Sequence, residues 1–542
     1  MGGGVREGAM RAQLRAVLGA AVVDDGETLA EYSRDASPYR RTPLAVVRPR
    51  NRDEVVTLMR HAAAEGLPLI PRGAGTSLAG QCVGDGIVVD LGYHLTAIRG
   101  IDAGARLAVV EPGVTRDALN GEARHHGLMY APDPSTTARC TIGGMIGNNA
   151  WGLHAVRYGT TRDHLVGVEA VLADGSVARL GPLPEPERAA RLALADREGD
   201  IHRALVAIVD RHLPAIRERY PSMRGVPHNG GYALDVLARM RPWTAGGPDY
   251  NPALILCGAE GTLGLITEAT VRLVPIPGHR RLLCAHFDGV EEALRAVPAV
   301  VVKRPAAVEL LDRAILKVAA AHRVQNGNRF WLRGDPGAVL LIEFADGTAA
   351  ACQRDAQRLA DELAAGHGCR HRSFVTGAAV ERVWDLRRSV LHMLMEAEGG
   401  LKAQTGIEDS AVALTDLAGY YGEVRGLLQR MGLIHYVYGP VGMGSLHIRP
   451  VLTLMSRASI TAYGALIDEV AAICVRWRGS FACKHGDGRM RGRFLPSIIG
   501  EPLTAALREV KNAFDPAGLL NPGKVLDNPP LTADIPLPDL AD

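Results

Sequence analysis

The stretch that decides how this chain is read is Pro71-Arg72-Gly73-Ala74-Gly75-Thr76-Ser77, directly after the short apolar run Leu67-Pro68-Leu69-Ile70. A run of that length reads as a strand, and the glycines after it allow the backbone to turn tightly with its N–H groups aimed inward. Such a turn forms an anion nest suited to a pyrophosphate. It is not a P-loop, because no G-K-[ST] follows, and it is not a dinucleotide fingerprint, because no G-x-G-x-x-G opens a helix. Taken alone, the loop competes with a plain glycine turn that binds nothing. Two further loops change the balance: Ala131-Pro132-Asp133-Pro134-Ser135, continuing through Cys140-Thr141-Ile142-Gly143-Gly144, and Gly258-Ala259-Glu260-Gly261-Thr262-Leu263-Gly264-Leu265-Ile266-Thr267.

Outward from these loops, short strands and helices alternate. Residues 45–47 and 87–91 are strand-like, and residues 53–64 put Val55, Val56, Met59, Ala62 and Ala63 on one helical face, stopped by Gly66. Further strands are expected at 107–111, 166–172 and 263–274. A largely helical insertion at 182–252 has prolines near its ends and suits a lid or an interface. A second unit, 278–526, alternates strands (282–286, 339–344, 434–437, 446–450) with long helical patterns (349–364, 460–475), an α+β arrangement with an antiparallel sheet. Residues 1–40 read as a helical lead-in, 41–277 as the first domain, and 527–542, rich in Pro and Asp, as a flexible tail.

The 542 residues exceed one ordinary core. The 61 basic and 59 acidic side chains nearly cancel, so a net charge of +2 gives no reason to expect nucleic acid or an anionic membrane as partner. Glycine, at 62 residues, is concentrated in the loops quoted above. The eight cysteines form no C-x-x-C, which argues against an iron–sulfur cluster or structural zinc. A reducing, cytoplasmic setting is the simpler expectation. The apolar stretch near residues 16–23 reads as the end of an amphipathic helix stopped near Gly19, and no apolar run approaches the ~20 residues that span a bilayer.

In order, P-R-G-x-G-T-S, P-D-P-S-x-x-x-x-C-T-I-G-G, Arg157-Tyr158-Gly159-Thr160-Thr161, E-G-T-L-G-x-I-T, Phe514-Asp515-Pro516 and Asn521-Pro522-Gly523-Lys524 resemble the vanillyl-alcohol oxidase/p-cresol methylhydroxylase (PCMH-type) family of FAD proteins. The resemblance covers residues 40 to 526. It implies a two-part PCMH-type FAD-binding domain plus an antiparallel-sheet α+β substrate (cap) domain. It also implies that Arg72, Gly73, Ala74, Gly75, Thr76 and Ser77 cradle the pyrophosphate. Pro132, Asp133, Ser135, Thr141, Gly143 and Gly144 would line the isoalloxazine and ribityl side, Glu260, Gly261 and Ile266 would close over the flavin and adenine, and Asn521 would belong to the same cofactor set. Some relatives link the flavin through a histidine in the first loop; Thr76 stands there, so FAD is expected to bind non-covalently. Trp151 stands where many relatives have a small residue, so the resemblance implies a narrower pocket near the flavin.

Within that family the second domain is similar to the FAD-linked 2-hydroxy-acid dehydrogenases, to the flavin half of long bacterial members whose iron–sulfur domain this chain is expected to lack. The resemblance implies that Arg387 and Lys402 hold a substrate carboxylate, which suits guanidinium and ammonium donors. It implies His485 as the base that takes the hydroxyl proton while hydride leaves for flavin N5, with His447 as its orienting neighbour; a histidine titrates in the range this step needs. The pattern breaks where metal-dependent relatives carry a histidine and a glutamate: this chain has Gly439-Pro440 and Lys484. One remaining histidine does not hold zinc, so no catalytic metal is expected, and Lys484 takes over part of an ion's electrostatic role. The expected activity is oxidation of a hydroxyl to a carbonyl on a D-2-hydroxy acid or related hydroxy acid, as dehydrogenase or oxidase. The competing readings are oxidation of a sugar or other alcohol, and a non-catalytic flavin subunit of an iron–sulfur complex. The electron acceptor (iron–sulfur protein, quinone or oxygen) is left open, and a homodimer is the family-based expectation.

Overall fold

In the computed structural model, which describes residues 2–395 and 402–537, the strand expected at 67–70 lies two residues later, at Leu69–Arg72, and takes in the first two residues of the glycine motif. It lies parallel to Ile87–Asp90, which is itself parallel to Ala45–Val47, and Val22–Val23 closes that four-stranded sheet antiparallel. The helix Arg52–Glu65 fits this parallel connection. Asn51 caps its start by accepting from the Glu54 N–H, and Gly66 ends it at φ +65°. Its buried face is Val55, Leu58, Met59 and Ala62, the i, i+3, i+4, i+7 pattern. Val56 and Ala63 were expected on that face; Val56 is half-buried and Ala63 exposed.

A second, five-stranded antiparallel sheet follows in the order Ile98–Asp102, Leu107–Val110, Leu265–Arg272, Leu165–Val171, Val177–Leu180. The 182–252 insertion is helical, and of the two expected roles, lid or interface, its packing is that of an interface within the chain. Its long helix Arg197–Arg219 buries Ile201, Leu205, Ile208 and Val209 in one core with Leu503, Leu507 and Val510 of the helix Glu501–Phe514. The chain's C-terminal part thus returns to the first domain.

Among the described residues, the strands of the second domain pair antiparallel with one another. Alternation explains its layers. Along His279–Phe287, Leu283 and Ala285 face the helices Val290–Val301 and Ala349–Gly366, in one core with Leu417–Arg430 and Arg457–Arg476. Leu282 and Cys284 face Arg313–Ala321 and Ala379–Met395. A period of two therefore gives the sheet two apolar faces, each covered by helices. Arg457–Arg476 is long and apolar enough to cross a membrane, which the reading of the sequence had not singled out; half of it is buried inside the fold, among the core that holds Tyr463, Leu466, Ile467 and Val470. The tail, expected to fray, is docked as far as it is described: Leu531 and Ile535 are buried, Tyr39 Oη donates to the Leu531 carbonyl, and Arg489 pairs with Asp534 at 2.6 Å.

Candidate active site

A cavity of about 510 Å³ runs between the two domains, within the size of an ordinary small-molecule site (roughly 300–1,000 Å³). One end is backbone. Residues 72–77, Ser135, Thr141, Gly143, Gly144, Glu260, Gly261 and Ile266 all line it. Two glycines show why the loops need this composition. A Cβ at Gly73 would stand 2.5 Å from Thr141 Oγ1, the atom that caps the helix Ile142–Asn148 by accepting from Gly144 N–H. Gly261 adopts φ +70°, and a Cβ there would meet Pro71 at 2.1 Å. Side chains are thus excluded where the loops pack against one another, which leaves the cradle lined by main chain. Glu260 closes this end: its carboxylate accepts from Gly488 N–H at 2.9 Å and from Gln81 Nε2 at 3.3 Å, and burial lifts its pKa to about 7. A main-chain cradle of this length, rich in N–H donors, fits the diphosphate of FAD.

Four residues expected in the site lie outside the cavity lining. Pro132 gives its carbonyl to Arg116, and Asp133 is turned away toward His154. Asn521 Nδ2 donates to the Gln81 and Glu260 carbonyls, so it bolts the C-terminal segment to two of the loops. Lys402 sits on the two-residue strand Lys402–Ala403; alternation buries Ala403 and leaves the lysine exposed.

The other end of the cavity is cationic and carries Arg387, His447, Arg449, Lys484, His485 and Tyr438. Arg387 is already matched: its Nε donates to Glu309 at 2.6 Å, both groups are buried, and the guanidinium lies 4.8 Å from the Tyr438 ring centre. Lys484 is buried with its ammonium 5.0 Å from the Trp151 ring, and burial lowers its pKa, with Glu309 opposing. Trp151 in turn donates Nε1–H to the Cys483 carbonyl. The loop that carries Lys484 and His485 is moulded by Asp409, which accepts from the N–H groups of residues 483, 484 and 485 at 3.1, 2.8 and 2.8 Å.

The two histidines stack, with ring centres 5.3 Å apart and planes 14° from parallel. His447 Nδ1 lies 2.8 Å from the Glu408 carbonyl, an acceptor only, so the proton sits on Nδ1 and Nε2 keeps its lone pair. Burial, then Lys484, His485 and Arg387, push its pKa well below the usual histidine range. His485 Nδ1 lies 3.1 Å from the Glu408 carboxylate, which also accepts from Arg491 at 2.9 Å. Burial would raise Glu408; Arg491, Arg449 and His485 outweigh it and hold the group well below the carboxylate range. Glu408, Asp409, Arg491 and Glu309 were not assigned roles from sequence, and neither was Arg449. For Arg449 the signal was available: it stands two residues from His447 on the strand Ser445–Leu452 and so shares its face.

A second buried network crosses between the domains. His154 lies 2.6 Å from Asp133 and 3.2 Å from Glu343, while Glu343 also binds Arg280 at 2.7 Å and Trp384 Nε1 at 2.6 Å. Burial opposes its charge, but Asp133 and Glu343 prevail and raise the His154 pKa to about 10. The first domain is thereby tied to the helix Ala379–Met395, which carries Arg387.

Comparison with known proteins agrees with this geometry. Residues 43–181 match the family model described as FAD binding domain, and residues 276–525 that described as FAD linked oxidases, C-terminal domain. The chain is similar to D-2-hydroxyglutarate dehydrogenase of Pseudomonas putida, 33% identical over 92% of this chain and 50% of that protein, so it spans about half the length of that relative. It is similar over nearly full length to glycolate oxidase subunit GlcD of Bacillus subtilis, 29% identical over 91% of each chain. Its fold matches that of p-cresol methylhydroxylase solved with substrate bound, with a TM-score of 0.69 at 16% identity, covering 96% of this chain and 97% of the other.

Proposed function

Because this chain belongs to the FAD-linked oxidases and takes FAD as its cofactor, we propose that it oxidises the carbinol of a 2-hydroxy acid to the 2-oxo acid, with FAD held non-covalently and without a catalytic metal. The relatives named for D-2-hydroxyglutarate and glycolate support the substrate class. The observation that carries the reading is the carboxylate-backed His485 stacked on a neutral His447 at the cationic end of the cavity. Bound FAD supplies the acceptor for two electrons and the carbinol hydrogen.

The protein residues supply the rest. The hydroxyl O–H bond breaks and its proton goes to His485 Nε2, because Nδ1 is engaged by ionised Glu408 and the resulting imidazolium is matched by that carboxylate. His447 stays neutral, so the ring stacked against His485 adds no charge that would oppose protonation. The Lys484 ammonium stabilises negative charge developing on the oxygen as the C–H bond breaks and its electron pair departs as hydride, leaving a C=O bond. Around His447, Pro440 offers no ligand atom and Lys484 places a cation, a poor set for a divalent ion. Anaerobic mixing of the FAD-loaded protein with D-2-hydroxyglutarate, D-lactate, glycolate and a neutral sugar tests the reading. Hydroxy acids are expected to bleach the flavin. Bleaching by the sugar alone would refute it.

A further inference from the structure

The cationic end of the cavity carries Arg387, Arg449 and Lys484, and they are not partnered alike. Arg387 spends its charge on Glu309, with which it shares a fully buried ion pair. Arg449 is different. It is 1% exposed, its Nε donates to Tyr438 Oη at 3.2 Å, and its Nη1 is buried without a hydrogen-bond partner among the described residues, although the side chain lines the cavity. Burying a guanidinium donor with nothing to receive it is costly, so the arrangement is complete when an anion arrives. Glu408 acts on Arg449 electrostatically, but its carboxylate oxygens bond to His485, Arg491 and the Gly406 N–H.

We propose that Arg449, and not the already paired Arg387, is the residue that binds the carboxylate next to the reacting carbon, and so selects 2-hydroxy acids over neutral alcohols. This assignment rests on the function proposed above. The spacing supports it. His447 and Arg449 are two residues apart on one strand, about 6.6 Å between Cα atoms on the same face. In a 2-hydroxy acid the hydroxyl and the carboxylate sit on adjacent carbons, so a hydroxyl held at the paired histidines places its carboxylate beside Arg449. Tyr438 completes the subsite. Its oxygen accepts from Arg449 Nε, which leaves its own O–H free to donate to the same anion. Strand pairing fixes this geometry, since Tyr438 lies opposite His447 and Tyr436 opposite Arg449.

The test uses the FAD-loaded full chain and oxalate, a turnover-inert dicarboxylate, followed through its perturbation of the flavin spectrum, together with KM and kcat for whichever hydroxy acid bleaches the flavin. Arg449→Met is expected to weaken oxalate about 100-fold and to raise KM by a similar factor, the scale of losing a charge-assisted bidentate contact, while kcat at saturation falls less than about 5-fold. Arg449→Lys keeps the charge and stem, and is expected to recover at least about 10-fold of the lost oxalate affinity; a purely structural role would not produce that graded, charge-specific recovery. If either variant fails to hold FAD, Tyr438→Phe gives the second route, with an expected loss of about 10-fold in oxalate affinity. Oxalate binding unchanged in Arg449→Met or in Tyr438→Phe overturns the assignment while the proposed function stands. A wild-type protein that neither binds oxalate nor bleaches with any 2-hydroxy acid overturns both.

Discussion

Replacing His154 by glutamine would open the charged joint between the two domains, and the structure sets the size of the effect. The ring is held between the buried Glu343 and the half-buried Asp133, and its pKa stands near 10 against about 6.5 in an unfolded chain. A group with a raised folded pKa binds its proton more tightly in the folded state. Its contribution is therefore fully present below about pH 6.5 and is lost as pH climbs through about 10. Within that window it makes stability fall by about 1.4 kcal/mol per pH unit, or about 3 kcal/mol between about pH 7 and 9. At neutral pH the substitution leaves Asp133 with the residue-154 N–H and the nearby Arg116, and Glu343 with Arg280 and Trp384, an expected cost of up to about 3–5 kcal/mol. Urea unfolding of wild type and His154→Gln at several pH values measures both quantities. The variant should be less stable at neutral pH and the gap should narrow on the alkaline side. Parallel pH profiles for the two proteins, or a cost under about 1 kcal/mol, would refute the account of the joint.

Other outcomes follow from the same contacts. Gly73→Ala forces a Cβ against Thr141 Oγ1 and should displace that helix cap, costing about 1 kcal/mol locally and lowering FAD affinity roughly 5- to 10-fold at unchanged fold, measured by flavin fluorescence on titration. Lys484→Met keeps the packing on Trp151 but removes the ammonium, and stopped-flow flavin reduction should slow by about 100-fold with substrate affinity changed far less. Truncation after Asp527 removes Leu531, Ile535 and the Asp534 ion pair; each buried aliphatic is worth about 1.5–3 kcal/mol, so thermal unfolding should shift down by several degrees, and an unchanged midpoint would mean the tail is not docked in solution. Exhaustive chelation should leave the rate of flavin reduction unaltered, and restoration of lost activity by zinc would contradict the metal-free site.

The glycine loops were legible because tight turns and close packing of one loop on another exclude Cβ atoms, and that shows as Gly73, Gly75, Gly143 and Gly261 in short motifs. The second domain was legible as an antiparallel α+β unit from its alternation of strands with long helical patterns, and the unbroken apolar run Leu282, Leu283, Cys284 and Ala285 matches a strand covered on both faces. The insertion at 182–252 showed its helices but not their destination, because the partner face of Arg197–Arg219 comes from Glu501–Phe514, some 300 residues away.

By itself the sequence determined the FAD cradle, the antiparallel second domain and the presence of two histidines and a lysine where a metal-binding set is broken. Tertiary structure alone decided which charges cancel. Asp133 turned out to serve His154, Lys402 faced outward, and Arg387 found Glu309 while Arg449 kept a buried N–H without a partner. The reason is physical: motif residues act through short-range geometry that neighbours in sequence share, whereas the pairing of a buried charge depends on which distant strand or helix is packed against it.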